Sequence, residues 1–320
     1  MKRLGVLGTF VWDRIWTLED SARGEPFQSW GGIAYTLATA AAVRPAGWEV
    51  VPIVKVGSDL APEAHEFLAA LPGVSVGPSV VTVPEPNNRV ELRYTDTEQR
   101  GERLTGGVPA WTLEELRPHL SGLDALYVNF ITGFELGLAD AEGLRREFPG
   151  PLYSDLHSLF LGCPGARARE LRTLPHWERW AGCFDAVQLN ERELGTLGEP
   201  SAGWEPTAER LLSAGPGLVV VTLGPKGAAY LRRQGFPDSP ERWLSRRSSG
   251  ASLRAEGRTV PLAAPVAGDP TGAGDVWGIA LFAGLLEGLD LEEAVLRAHR
   301  TAARKMGHRG ASSLYAHLAG

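Results

Sequence analysis

Gly268-Asp269-Pro270-Thr271-Gly272-Ala273-Gly274-Asp275 runs straight into the apolar stretch Val276-Trp277-Gly278-Ile279-Ala280-Leu281-Phe282. Glycines leave the backbone unobstructed, so N–H groups can close around an anion where a helix begins. An aspartate at the rim of such a cradle has the wrong charge for holding phosphate and the right chemistry for taking a proton. A site that collects phosphate beside a carboxylate reads as phosphoryl transfer to a hydroxyl. The plainer reading is a Gly-rich turn before a buried helix.

The segment resembles the Asp-Thr-Thr-Gly-Ala-Gly-Asp pattern of the ribokinase-like (PfkB) carbohydrate kinase family, with Pro270 in place of the first threonine. The resemblance implies that Asp275 is the general base. It also implies that the backbone of Gly272, Ala273 and Gly274 forms an anion hole for the transferring phosphoryl group, with Thr271 on the nucleotide side.

Composition sets outer limits. At 320 residues, 43% hydrophobic and 22% charged, the chain can bury a full core. A net charge of −6 speaks against nucleic acid or an anionic membrane surface as main partner, though not against a nucleotide in a local cradle. Cys163 and Cys183 have neither metal-ligand spacing nor a disulfide framework, which fits a reducing cytoplasm. The start, Met1-Lys2-Arg3-Leu4-Gly5-Val6-Leu7-Gly8, imitates a short signal peptide, but Asp13 and Arg14 cut the apolar run short. A first buried strand is expected there, in a soluble, cytoplasmic protein without a membrane span. Lysine is confined to positions 2, 55, 226 and 305 and asparagine to 87, 88, 129 and 190, so these few side chains draw attention.

Short β-branched runs at Leu4–Val11, Val50–Val56, Ala125–Ile131, Leu152–Leu156, Ala186–Leu189 and Leu218–Leu223 predict strands. Helical patterns lie between them at Pro62–Leu71, Leu113–Leu120 (behind a Thr112-x-x-Glu115 capping box), Leu136–Phe148, Thr207–Ala214 and Leu291–Met306. Near-continuous apolar strands alternating with helices imply an α/β fold whose mostly parallel sheet is covered on both faces. Ligands then gather at the carboxyl ends of strands, where Asp13, Asn129, Asp155, Asn190 and Gly224 fall.

Residues 13–30 and 84–105 break this rhythm, and Asn87 to Asp96 alternates like half-exposed strands. The family carries a small β-sheet lid in these places. The resemblance therefore divides the chain into a lid (13–30, 84–105) and a large nucleotide- and substrate-binding domain (1–12, 31–83, 106–320). Such lids often pair between subunits, which implies a homodimer; the sequence alone allows an ordinary hairpin.

The remaining motifs are weaker singly and follow in the family's order. Asn190-Glu191-Arg192-Glu193 resembles its Asn-x-x-Glu motif, which implies that Asn190 and, through waters, Glu193 order Mg2+. By itself the pattern also reads as a helix N-cap. Thr222-Leu223-Gly224-Pro225-Lys226-Gly227 resembles the stretch that lines the nucleotide site, implying that Thr222, Gly224, Lys226 and Gly227 contact ATP. A lysine in a surface turn is otherwise merely solvated. At the acceptor end, the resemblance implies that Asp13 holds sugar hydroxyls and that the sugar lies against Gly31-Gly32. Arg89, Asn129 and Asp155 join as candidates, with Asp155-Leu156-His157 open to both a ligand and a strand-end reading.

Together these imply an ATP- and Mg2+-dependent kinase for a hydroxyl, of the primary kind, on a sugar or sugar derivative. A monovalent cation such as K+ assists some relatives. Two departures stand out. The polar, Arg-rich insert 235–258 is longer than usual and reads as a mobile surface loop or a cover for the nucleotide. The continuation typical of ribokinases is missing after Gly32. A nucleoside or vitamin-precursor kinase, with Trp12, Trp16 and Trp30 in its pocket, and a non-catalytic nucleotide-binding regulator are the alternatives.

Overall fold

The computed structural model describes residues 1–94, 100–162, 168–198, 203–243 and 254–320. Strand β1 (Lys2–Trp16) organises the molecule because its two halves belong to different sheets. Its first half lies between β3 (Trp48–Gly57) and β7 (Ala125–Asn129), parallel to both. Its second half pairs with β2 (Phe27–Gly32) and β5 (Asn88–Tyr94) in a small sheet that β6 (Arg100–Thr105) completes. The chain thus carries Asp13 out of the large sheet and onto the small one. Asn87 braces the junction: its Oδ1 accepts from the Gly57 amide and its Nδ2 donates to Phe10 O and Asn88 O.

With β4 (Val80–Val83), β8 (Leu152–Asp155), β9 (Ala186–Asn190), β10 (Leu218–Thr222), β11 (Ala228–Arg233) and β12 (Ala255–Val260), the large sheet runs β12-β11-β10-β9-β8-β7-β1-β3-β4. It is parallel except at one edge, where β11 and β12 pair antiparallel. The strands expected from apolar runs are all present. β11 and β12 are an addition: β12 is mostly exposed at an edge and has no apolar run to announce it.

One face of the sheet is covered by helices Ile33–Val43, Ala273–Glu287 and Leu291–Met306. The other is covered by Leu113–Leu120, Leu138–Glu147, Trp177–Gly182 and Glu205–Ser213. The Thr112/Glu115 capping box forms as expected, and Glu115 also receives the buried Lys55 ammonium at 3.0 Å. Residues 276–285 are buried all round, so the helix begun by the Gly-rich segment is a central one. The Arg-rich insert is partly folded rather than loop throughout. Trp243 is buried against Phe236 and Phe282, and β12 takes up residues 255–260; Arg246 and Arg247 lie outside the described residues.

A candidate phosphoryl-transfer site

Three cavities follow one another along the carboxyl ends of the strands. The first, of about 60 Å³, is walled by Asp13, Gly32, Tyr35, Val90, Leu92 and Glu102 and floored by Thr271, Gly272 and Asp275. The second, of about 220 Å³, is polar and includes Asp155, His157, Gln188, Asn190, Glu193 and Asp275. The third, of about 260 Å³, is largely apolar, with Leu262, Val266, Trp277, Ala302 and Met306 in its wall. Asp275, Gly272 and His157 line both the first and the second, and Thr222, Pro270 and Gly274 line both the second and the third.

Asp275 therefore stands where the first two cavities meet. Asn129, at the end of β7, donates from Nδ2 to Asp275 Oδ1 at 2.7 Å and to Thr36 Oγ1 at 2.9 Å. This fixes the carboxylate without supplying it a proton, as a base requires. Asn129 thus orients Asp275 and is not a wall of the acceptor cavity.

The glycines have separate reasons. Gly272, the N-cap of the central helix, has φ +78°, and a Cβ there would strike the Tyr35 ring at 2.5 Å. Gly274 has open space where its Cβ would be, facing the second and third cavities. The Ala273 amide, expected in the anion hole, instead donates to Pro270 O at 3.0 Å and closes the turn. Gly272 and Gly274 both line the polar second cavity. Below the loop, the fully buried Lys305 donates to Asp269 O at 2.8 Å and ion-pairs with its carboxylate at 3.4 Å. Burial lowers the Lys305 pKa, with Asp269 opposing.

The glycine pair departs from expectation. A Cβ on Gly31 would lie 1.8 Å from Asp13 Oδ2, so this glycine makes room for the Asp13 carboxylate rather than for a sugar. Gly32, with φ +57°, lines the acceptor cavity itself. Arg89 is elsewhere: its guanidinium donates to Asp59 Oδ2 at 2.6 Å and Asn87 O at 3.1 Å and is absent from the cavity wall. Thr271 lies on the acceptor side, bonded to Tyr94 Oη at 2.9 Å, and not with the nucleotide motif. Lys226 points outward to Glu191, while Thr222, Gly224 and Gly227 line the apolar cavity.

Asp155 belongs to the polar cavity. It accepts from the His157 amide at 3.1 Å and from Gln188 Nε2 at 2.8 Å, so the strand-end and ligand readings both hold a share. Burial pushes its carboxyl up to about 8, with nearby Glu193 and Asp275 adding and His157 opposing. Burial opposes charge on His157, yet Glu193, bonded to its Nδ1 at 2.5 Å, together with Asp155 and Asp275 raises it to about 10. Asn190 and Glu193 form the expected N-cap as a full capping box. The Glu193 carboxylate is thereby engaged by Asn190 and His157, and no cluster of three metal-ligating side chains occurs among the described residues. A divalent ion fits here only through waters, which suits Mg2+.

Gln188, Tyr35, Trp277, His299 and Glu102 have no motif to mark them, because each sits in a run that also reads as ordinary core or surface; His157 is marked only through Asp155-Leu156-His157. His299 and Trp277 are linked at 3.0 Å, the indole N–H donating to Nδ1. The other nitrogen, 3.0 Å from Val260 O, is then the N–H, and burial lowers the His299 pKa. This neutral ring forms part of the apolar cavity wall.

Residues 162–317 match the model of the pfkB family carbohydrate kinase. No curated protein sequence matches the chain. The fold is similar to that of a pyrophosphate-dependent kinase in the ribokinase family, solved as a sulfate complex (TM-score 0.72, 18% identity, 97% of this chain and 96% of that one). It is similar to ribokinase from Thermotoga maritima (TM-score 0.70, 21% identity, 99% and 98%). A further likeness is to Arabidopsis thaliana ribokinase complexed with ribose and ATP (TM-score 0.66, 18% identity, 99% of each).

Proposed function

The chain belongs to the ribokinase-like (PfkB) carbohydrate kinase family, and on that premise we propose that it transfers the γ-phosphoryl group of ATP to a hydroxyl of a sugar or related polyol. The carrying observation is the place of Asp275: an oriented carboxylate at the junction of the small acceptor-side cavity and the polar cavity next to it. In this reading Asp275 takes the proton from the attacking hydroxyl, and the Gly272 and Gly274 amides meet the charge on the transferring group. Asp13, held against Gly31, binds a second hydroxyl. The small sheet, which supplies Asp13, Val90, Leu92 and Glu102 to the cavity, acts as the lid that excludes water, the competing nucleophile.

The donor reading rests on the third cavity. Inorganic pyrophosphate has no apolar part, whereas a purine base would use an apolar volume of about 260 Å³ adjoining the polar one, which supports ATP. Asn190, Glu193 and Asp155 would hold Mg2+ through its waters, and bound there it would neutralise charge on the phosphates. The carboxylates of Asp13, Glu102 and Asp275 around the first cavity support an acceptor rich in hydroxyls. Trp12, Trp16 and Trp30 are not among the residues that line that cavity, which weakens the support they gave the nucleoside alternative.

The test is product formation from ATP and Mg2+ over a panel of free sugars, cyclitols and nucleosides, with pyrophosphate as rival donor. Asp275→Asn is expected to keep ATP affinity while turnover falls ~10²–10⁴-fold. Turnover near wild type in that variant would overthrow the assignment of the base.

A further inference from the structure

We propose that Glu102 is an additional acceptor-binding residue, one that accepts a hydrogen bond from a hydroxyl remote from the one phosphorylated. The inference rests on the phosphoryl-transfer reading above and narrows its acceptor to a polyol. Glu102 lies on β6, opposite Leu92 of β5. Its neighbours Gly101 and Arg103 are exposed, whereas Leu104, two residues on, is buried with Val90 and Leu92. Period-2 alternation thus puts a carboxylate on the inner face, where the pattern calls for an apolar residue.

Such a placement costs desolvation unless something compensates. Arg169 does so in part. It is buried, its guanidinium donates to Gly162 O at 3.0 Å, Thr132 O at 2.7 Å and Ser158 O at 3.3 Å, and Nη1 reaches Glu102 Oε1 at 3.2 Å. Its backbone N–H also donates to Glu102 O at 2.7 Å, so strand and side chain are held together. The other carboxylate oxygen, Oε2, has no partner among the described residues, and Glu102 lines the same cavity as Asp13 and Asp275. A carboxylate oriented through one oxygen by a rigid guanidinium, with the second left to the cavity, is built to accept from a ligand donor.

The test compares the parent acceptor with its monodeoxy analogues, each lacking one hydroxyl other than the reacting one. In the wild type one analogue is expected to lose ~10-fold or more in kcat/KM, the loss of a hydrogen bond to a charged group. In Glu102→Ala the parent and that analogue are expected to be used equally, with donor KM unchanged. A purely structural role for Glu102 would lower parent and analogue alike and keep their ratio. Retention of the wild-type ratio, or an acceptor KM within twofold of wild type, overturns the proposal. Should Glu102→Ala fail to fold, Glu102→Leu, which suits the apolar inner face and has no polar atom to offer the ligand, is read the same way. If the wild type phosphorylates no acceptor, the kinase reading fails. Calorimetric titration of the same polyols into wild type and variant then decides the role of Glu102, equal affinities refuting it.

Discussion

Gly31→Ala is the sharpest test of how the acceptor site is assembled. Gly31 has no positive φ, so alanine meets no backbone obstacle, and the strand around it is otherwise unchanged. What the new methyl meets is the Asp13 carboxylate: 1.8 Å to Oδ2, 2.2 Å to Cγ and 2.6 Å to Oδ1. Reaching even 3.0 Å requires Oδ2 to move by more than 1 Å, and Asp13 is only 4% exposed, with little room to retreat. A hydrogen bond does not survive such a shift, and one to a charged group contributes roughly 1.5–3 kcal/mol. The acceptor kcat/KM is therefore expected to fall about 10- to 150-fold. Crowding of the methyl costs about 1–3 kcal/mol of stability, against ~0.4–1 kcal/mol gained from a stiffer unfolded chain. The protein thus stays folded.

The assay is steady-state kinetics with acceptor varied at saturating donor, alongside thermal melting. Asp13→Asn supplies the comparison. If Gly31 serves Asp13, the double variant loses no more than Asp13→Asn alone. If Gly31 instead leaves space for the sugar, the two losses multiply. An acceptor kcat/KM within twofold of wild type in a folded Gly31→Ala protein would refute the reasoning.

Other consequences can be measured as directly. Gly274→Val places a branched side chain where the structure leaves open space facing two cavities, so donor KM should rise at least tenfold while acceptor binding, read by calorimetry, is kept. Lys305→Met leaves Asp269 without its buried cation and should cost about 3–5 kcal/mol by denaturant titration, with the anion-hole loop loosened as well. For pH, Asp155 is raised to about 8 and His157 to about 10. A raised pKa contributes stability that is full below the unfolded value and lost as pH rises through the folded one. The melting temperature should therefore decline from about pH 4 toward pH 10, Asp155 acting up to about pH 8 and His157 from about pH 6.5, and Asp155→Asn should flatten the part below pH 8. A melting temperature independent of pH over this range would contradict the charge assignment.

The layout of the large sheet was legible because buried parallel strands must be apolar along their whole length, as at Ala125–Asn129 and Leu218–Thr222. β12 was not, since an edge strand with exposed residues carries no such constraint. Asp275 and the glycines around it were legible for a local reason: a turn with φ +78° at Gly272, leading into a helix buried on all sides, leaves few other residues possible. The place of Arg89 was not legible, because an arginine on a polar strand gives no sign of which face it takes; Val90 and Leu92 turn inward, and Arg89 pairs with Asp59. Glu102 was invisible for the complementary reason. It owes its place to Arg169, a partner 67 residues away, and no spacing rule reaches that far.

That difference bears on how the site divides its labour. The turn of Gly272, Gly274 and Asp275 is local, made at one helix start, and in the proposed reading it carries the step common to any hydroxyl acceptor. The acceptor walls are assembled from separate stretches: Asp13 from the far half of β1, Glu102 from β6 with Arg169 behind it, and Ile131 just beyond β7. A substitution in that turn strikes the chemistry for every acceptor at once. A substitution in the walls changes which hydroxyl pattern is accepted while the base and its Asn129 partner stay as they are. The two sets of variants should therefore separate in the kinetics, Asp275→Asn lowering kcat for all acceptors and Glu102→Ala shifting the ratio between them. Variants of both kinds that lowered kcat alone, by the same factor on every acceptor, would contradict this division.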